Sequence, residues 1–240
     1  MIPVLRGEWV KFRSVRSTWV MVSIAIVLAM VIAGIAADSL EGRHPAEAVS
    51  VSSTFVVVLL LVLGIQFIAQ EYRFGTIRAT FTAVPDRRRL LLAKTAFGIG
   101  VGLVTASVAV AGSLVVAAIV LNGEGRSIPF DTRLIETIAG YLLIAGISVP
   151  LGIGVGAITR NPALGITAVL LDMFVLESLV TVFVSEDVGS VLPFTASFAA
   201  IPEHGGGSGL SPWSVAVLVY AAWAIGLLVI GTVIVERRDP

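Results

Sequence analysis

Two carboxylates, Asp172 and Glu177, stand inside an otherwise apolar run from about Pro162 to Val184. A carboxylate at mid-bilayer depth is costly and should face a protein interior or a wet cavity, where it can line a substrate path or relay a proton. The competing reading is structural, an interhelical hydrogen bond to Thr167, Ser148 or a neighbouring protomer. At about 100° per residue, five positions turn a helix by about 500°, so the two side chains sit about 140° apart and do not share a face. Asp172 falls near mid-span and Glu177 nearer the outer surface.

Other chemistries lack their groups. There is no cysteine, hence no thiol nucleophile, disulfide or thiolate metal site. The two histidines, His44 and His204, fall between apolar runs, and neither G-x-S-x-G nor H-E-x-x-H occurs. Serine and zinc intramembrane proteolysis are thereby left without their machinery, and no metal site is predicted. G-x-x-x-x-G-K-[ST] is also missing, so any ATP chemistry falls to a partner chain.

The elements that must position these groups are membrane helices. Of 240 residues, 57% are apolar and only 13% charged, far from the roughly 25% charged of soluble domains. A span of about 30 Å of hydrocarbon takes roughly 20 apolar residues. Six runs qualify, at about 18–37, 49–69, 94–121, 134–159, 162–184 and 212–235. The first is too long for a signal-peptide core and no small-residue cleavage site follows it. What lies outside the spans is too little for a soluble catalytic domain of ordinary size. The expected fold is therefore an all-α membrane protein forming a single transmembrane domain over 1–240.

Net charge is zero, which gives no reason to expect a nucleic-acid partner. Sorted by side, the charges are strongly polarised. Thirteen of the sixteen Lys and Arg residues fall at the two ends of the chain, between spans two and three, or at Arg160; only Arg43, Arg126 and Arg133 fall on the other side. Cytoplasmic loops carry the Lys/Arg excess, so a multi-pass protein of the cell membrane with both termini cytoplasmic is predicted.

Two segments flank the first spans. In 4–17 and on to Trp19, residues Leu5, Trp9, Phe12, Val15 and Trp19 fall on one helical stripe, with Arg6, Lys11, Arg13 and Arg16 around it. That pattern predicts an interfacial helix with its aromatic face in the lipid boundary, serving as a topological anchor or as a contact for a partner. In the loop 70–93, Phe74, Ile77 and Phe81 are spaced i, i+3, i+7 between Arg73 and Arg78, and Pro85 gives a stop. A short cytoplasmic helix with a narrow apolar stripe is predicted, since a free solvated loop gains nothing from Phe74 and Phe81. Pro150 with Gly152, Gly154 and Gly156 in the fourth span, and Gly98 with Gly102 in the third, predict close helix packing or a hinge.

The N-terminal run Gly7-Glu8-Trp9-Val10-Lys11-Phe12-Arg13-Ser14-Val15-Arg16-Ser17-Thr18-Trp19, the run Glu71-Tyr72-Arg73-Phe74-Gly75-Thr76-Ile77-Arg78, and Val84-Pro85-Asp86-Arg87-Arg88-Arg89 with Lys94 resemble actinobacterial ABC-2 type permeases, the membrane subunits of ATP-binding-cassette exporters. The resemblance covers the whole chain in topology, with its specific motifs in roughly the first 95 residues. It implies that 70–93 forms a coupling helix seated on the ATPase, with Glu71, Arg73, Phe74, Gly75, Thr76, Arg78 and Phe81 as contacts. It also implies cytoplasmic ATPase subunits that carry the ATP and Mg, none of it bound by this chain, and a second permease subunit in a homo- or heterodimer. A membrane-dipping element between spans five and six is matched by Ser190 to Ile201, followed by Gly205-Gly206-Gly207. The expected activity is export, without enzyme chemistry on this chain, of a hydrophobic or amphipathic cargo such as a drug, peptide or lipid. A stand-alone secondary transporter or channel using Asp172 is the alternative.

Overall fold

The apolar runs and the breaks between them map directly onto helices. The structure, a computed structural model, describes residues 2–39, 46–123, 125–202 and 212–237. In chain order the helices are α1 (Ile2–Ser14), α2 (Arg16–Ser39), α3 (Ala46–Arg73), α4 (Ile77–Ala83), α5 (Arg87–Gly123), α6 (Thr132–Thr159), α7 (Pro162–Leu171), α8 (Glu177–Phe183), α9 (Glu186–Ser190), α10 (Pro193–Ala199) and α11 (Trp213–Arg237). A π-helical turn, Asp172–Leu176, joins α7 to α8. Among the described residues six helices, counting α7 to α8 as one, are long and apolar enough to cross a membrane. Among the described residues there is no strand.

The span boundaries differ from the sequence reading mainly at α5. It begins at Arg87 rather than near residue 94 and runs for 37 residues, about 55 Å at 1.5 Å per residue. That exceeds an apolar core of about 30 Å, so the helix is longer than the span it contains. Pro85 is compatible with this because a proline two residues before a helix start costs no intrahelical hydrogen bond.

The turn between α6 and α7 takes two residues. Arg160 adopts left-handed backbone geometry, φ 54°, as the α6 C-cap. Asn161 caps α7, its side chain accepting from the N–H groups of Ala163 at 2.9 Å and Leu164 at 3.3 Å, and Pro162 occupies the first helical turn. At the far end of α6 the Asp131 carboxylate accepts from Leu134 N–H at 3.0 Å.

At the centre, α3 and α6 lie against each other with most of their length buried, and the remaining spans surround them. Small residues make that approach possible. A Cβ on Gly152 would collide with the carbonyl oxygen of Leu61, and one on Gly156 would lie 2.6 Å from that of Ile65. On the same helix, a Cβ on Gly154 would lie 2.7 Å from the carbonyl carbon of Leu227 on α11. The glycine run beside Pro150 is thus the seam along which α6 touches two neighbours at once. The short helices between α8 and α11 fold back into the bundle. Phe194 and Ile201 are buried, and a Cβ on Gly140 of α6 would meet the Ala200 carbonyl. The stretch Ser190 to Ile201 forms α10 with its flanking turns, while Gly205-Gly206-Gly207 lies outside the described residues.

Candidate functional site

The basic residues collect at one end of the bundle, where α1, α4, the start of α5 and the end of α11 meet. Their most tightly built feature is a four-membered ion cluster. Lys94 sits on the second turn of α5 with its side chain fully buried. Its ammonium donates to Glu8 Oε2 at 2.9 Å, to Glu71 Oε1 at 2.6 Å and to the Phe67 carbonyl at 3.1 Å, which uses all three of its donors. Lys11 closes the cluster from outside, donating to Glu71 Oε1 at 2.8 Å, to Glu8 Oε1 at 3.2 Å and to Thr80 Oγ1 at 3.4 Å. Two cations and two carboxylates make the assembly neutral, the condition under which charges tolerate burial. Burial pulls the Lys11 pKa down, but the Glu71 and Glu8 carboxylates outweigh it and hold the group above its ordinary value.

One cluster thereby ties together α1 through Glu8 and Lys11, α3 through Glu71, α5 through Lys94, and α4 through Thr80. An aromatic group packs beside it: Phe12 is buried, with ring centroids 5.6 Å from Phe97, 6.4 Å from Phe67 and 5.3 Å from Trp19. The stripe predicted for the lipid boundary is therefore divided. Phe12 seats in the bundle, whereas Trp9 and Trp19 stay about half exposed. Arg13 and Arg16 are exposed, and Lys11 is spent on the cluster.

The segment 70–93 also departs from a single amphipathic stripe. Phe74 lies outside α4, in a turn where Gly75 takes a φ of 69°, so the i, i+3 relation to Ile77 is broken. Ile77 is buried and Phe81 half-buried, while Phe74 is 68% exposed. Arg73 lies over the Phe74 ring at 5.6 Å and Arg87 over Phe81 at 4.8 Å. Arg73, Gly75, Thr76 and Arg78 are exposed beside Phe74. Glu71 is not among them, because its carboxylate turns inward to the two lysines. A groove of about 700 Å³ separates α1 from α4, with Gly7, Lys11, Ala79, Thr80 and Arg89 in its walls.

Three arginines fasten this end to α11. Arg160 donates to the Ile234 carbonyl at 3.2 Å and Arg87 to that of Val235 at 2.6 Å; Arg88 pairs with the Glu236 carboxylate, its Nη2 at 2.9 Å from Oε2. Cations on the last carbonyls of a helix satisfy groups that have no intrahelical partner.

The two intramembrane carboxylates are brought into different settings. The π turn hydrogen-bonds Glu177 N–H to the Asp172 carbonyl, an i to i+5 closure that places Glu177 closer to the Asp172 face than an α-helix would. The expected 140° separation therefore does not hold. Glu177 is buried and accepts from Phe194 N–H at 2.7 Å, Thr195 N–H at 2.6 Å and Thr195 Oγ1 at 2.8 Å. It caps α10, a partner different from the predicted Thr167 or Ser148; Ser148 pairs with Tyr220 at 2.9 Å. Asp172 is half-buried, and no side chain among the described residues bonds to it.

The sequence reading did not single out Glu8, and took Lys94 as part of a topological signal. The available hint was an acidic residue on the otherwise basic N-terminal helix together with a lysine inside an apolar run.

A family model described as ABC-2 family transporter protein matches residues 4–185, from within α1 through α8, and takes in the four-membered ion cluster as well as Asp172 and Glu177. No curated protein matches the chain.

Proposed function

The chain belongs to the ABC-2 family of transporter membrane proteins, and from that membership we propose that it is the permease subunit of an ATP-driven exporter. With six apolar spanning helices, it is a multi-pass membrane protein and a transport subunit that is not itself catalytic. In the proposed assembly it pairs with a second permease, both termini lie in the cytoplasm, and separate cytoplasmic ATPase subunits bind the ATP and Mg. The cargo is hydrophobic or amphipathic and passes along a path that includes Asp172. Glu177, spent on capping α10, positions the wall of that path.

The observation that carries this reading is the pedestal under α4. An exposed Phe74 flanked by Arg73, Thr76 and Arg78 offers an apolar plug inside a basic rim, a surface suited to a groove with acidic edges. Glu71, directly below, is held by Lys94 and Lys11, so a push on the plug reaches α1, α3 and α5 together. ATP-driven closure of the ATPases moves α4, and the spans shift from inward-facing to outward-facing.

Co-expression with a cognate ATPase tests the reading. Phe74→Ala with Phe81→Ala is expected to reduce co-purification of the ATPase and to uncouple ATP hydrolysis from transport. Unchanged assembly and coupling in that variant refute the assignment of the lever. The unpaired Asp172 favours a second reading, a stand-alone transporter driven by an ion gradient; transport by this chain alone in proteoliposomes, lost in Asp172→Asn, would establish it.

A further inference from the structure

Asp172 lies ten residues beyond Pro162, about 15 Å along the helix and so near the middle of an apolar layer of about 30 Å. A charge at that depth needs a counter-charge, and among the described residues none stands there. Every Lys and Arg in the six spans lies within eight residues of a helix end, and the deepest, Lys94, is already held by Glu8 and Glu71. A symmetric partner would not help, since a second copy brings a second Asp172 and no base. The neighbouring carboxylate is committed, with Glu177 accepting three hydrogen bonds from the start of α10.

The surroundings select the kind of cation. A small inorganic ion requires several oxygen ligands, and among the described residues no group of three or more acidic or histidine side chains gathers at Asp172. Val175 and Leu176, three and four positions on, share its side of the helix and are exposed, a surface for the hydrocarbon of an organic cation. The local break in the helix also fits, because π turns leave the regular hydrogen-bond ladder at functional positions.

We infer that Asp172 is the charge-selecting residue of the translocation path and that the cargo is a monocationic amphiphile, its cation set against Asp172 and its apolar body against the α7 to α8 face. The inference rests on the permease reading and narrows its cargo by charge.

The test uses the complex of this chain with its ATPase in nanodiscs, and two probes of the same shape and opposite charge, tetraphenylphosphonium and tetraphenylborate. Equilibrium binding is measured against empty nanodiscs. Tetraphenylphosphonium is expected to bind the unaltered complex at least about tenfold more tightly than the isosteric Asp172→Asn variant, with Asp172→Glu retaining most of the affinity. Tetraphenylborate binding is expected to hold or rise in Asp172→Asn. Equal phosphonium binding by the unaltered protein and Asp172→Asn overturns the inference, as does failure of the unaltered protein to bind it. Equal binding is also the result expected of a carboxyl that simply holds a proton. Assembly with the ATPase serves as the folding control for each variant. If the unaltered chain assembles with no ATPase, it is the permease reading that fails, whatever the probes do.

Discussion

Replacing Lys94 by methionine keeps the length of the side chain and removes its charge and all three donors. Two of the lost bonds are charge-assisted, at 2.9 and 2.6 Å to Glu8 and Glu71, and the third reaches a backbone carbonyl at 3.1 Å. No water reaches the ammonium of the native protein, whose side chain is fully buried, so no solvent contact offsets the loss. Glu8 and Glu71 are left with Lys11 alone, and the cluster carries a net negative charge. Breaking a buried ion cluster by deleting one member costs about 3–5 kcal/mol, whereas replacing the whole set with neutral groups of similar shape is close to neutral. The triple variant Glu8→Gln, Glu71→Gln, Lys94→Met, which leaves only Lys11 charged and half exposed to water, is therefore expected to recover most of what the single variant loses. Reversible unfolding of the purified protein in mixed micelles of increasing denaturing detergent measures both. Refutation is a loss below about 1 kcal/mol in Lys94→Met, the scale of an exposed pair, or a triple variant less stable than the single one. Either result would mean that the cluster does not join α1 to the bundle through paired charge.

Lys11→Met should cost less than about 1 kcal/mol, since that lysine is half exposed and screened. The pH dependence follows from its raised pKa: the contribution is complete below the ordinary value of 10.5 and falls away as pH rises through the higher folded value. Stability in the same detergent assay should therefore show no Lys11-dependent change between about pH 6 and 9; a difference between native protein and Lys11→Met that vanishes in that interval would refute the assignment. Glu177→Gln removes the charge that caps α10 and keeps a single carbonyl acceptor. With charged hydrogen bonds contributing about 1.5–3 kcal/mol, exchange of the Phe194 and Thr195 amide hydrogens should quicken about tenfold or more, while amides in α3 and α6 stay protected.

Much of the fold was legible because a membrane helix announces itself locally. The six apolar runs and the short helix before Pro85 depend on neighbours in the chain, and each forms a helix, although the third starts earlier than its apolar run, at Arg87. The small residues of α6 were also readable as a packing seam, although which helices meet there was not. Gly152 and Gly156 take α3 and Gly154 takes α11, a choice set by how the helices are arranged around α6. The segment 70–93 was half legible. Its helix was visible, but a turn with a φ of 69° at Gly75 rotates Phe74 away from Ile77, and periodicity counted through that turn assigns it to the wrong face.

By itself the sequence determined the class of protein, its six spans, the polarity of its charges and the absence of a nucleotide-binding loop, all of which follow from composition and short-range pattern. Only the tertiary structure decided which charges meet. Glu8 and Lys94 are 86 positions apart and no local rule pairs them; a buried ammonium needs acceptors, and the packing of α1 against α3 and α5 brings Glu8 and Glu71 to it. The same packing spends Glu177 on α10 and leaves Asp172 without a side-chain partner among the described residues. Two carboxylates five residues apart in one apolar run thus acquire different surroundings, because the cost of burying a charge is met by neighbours in space and not by neighbours in sequence.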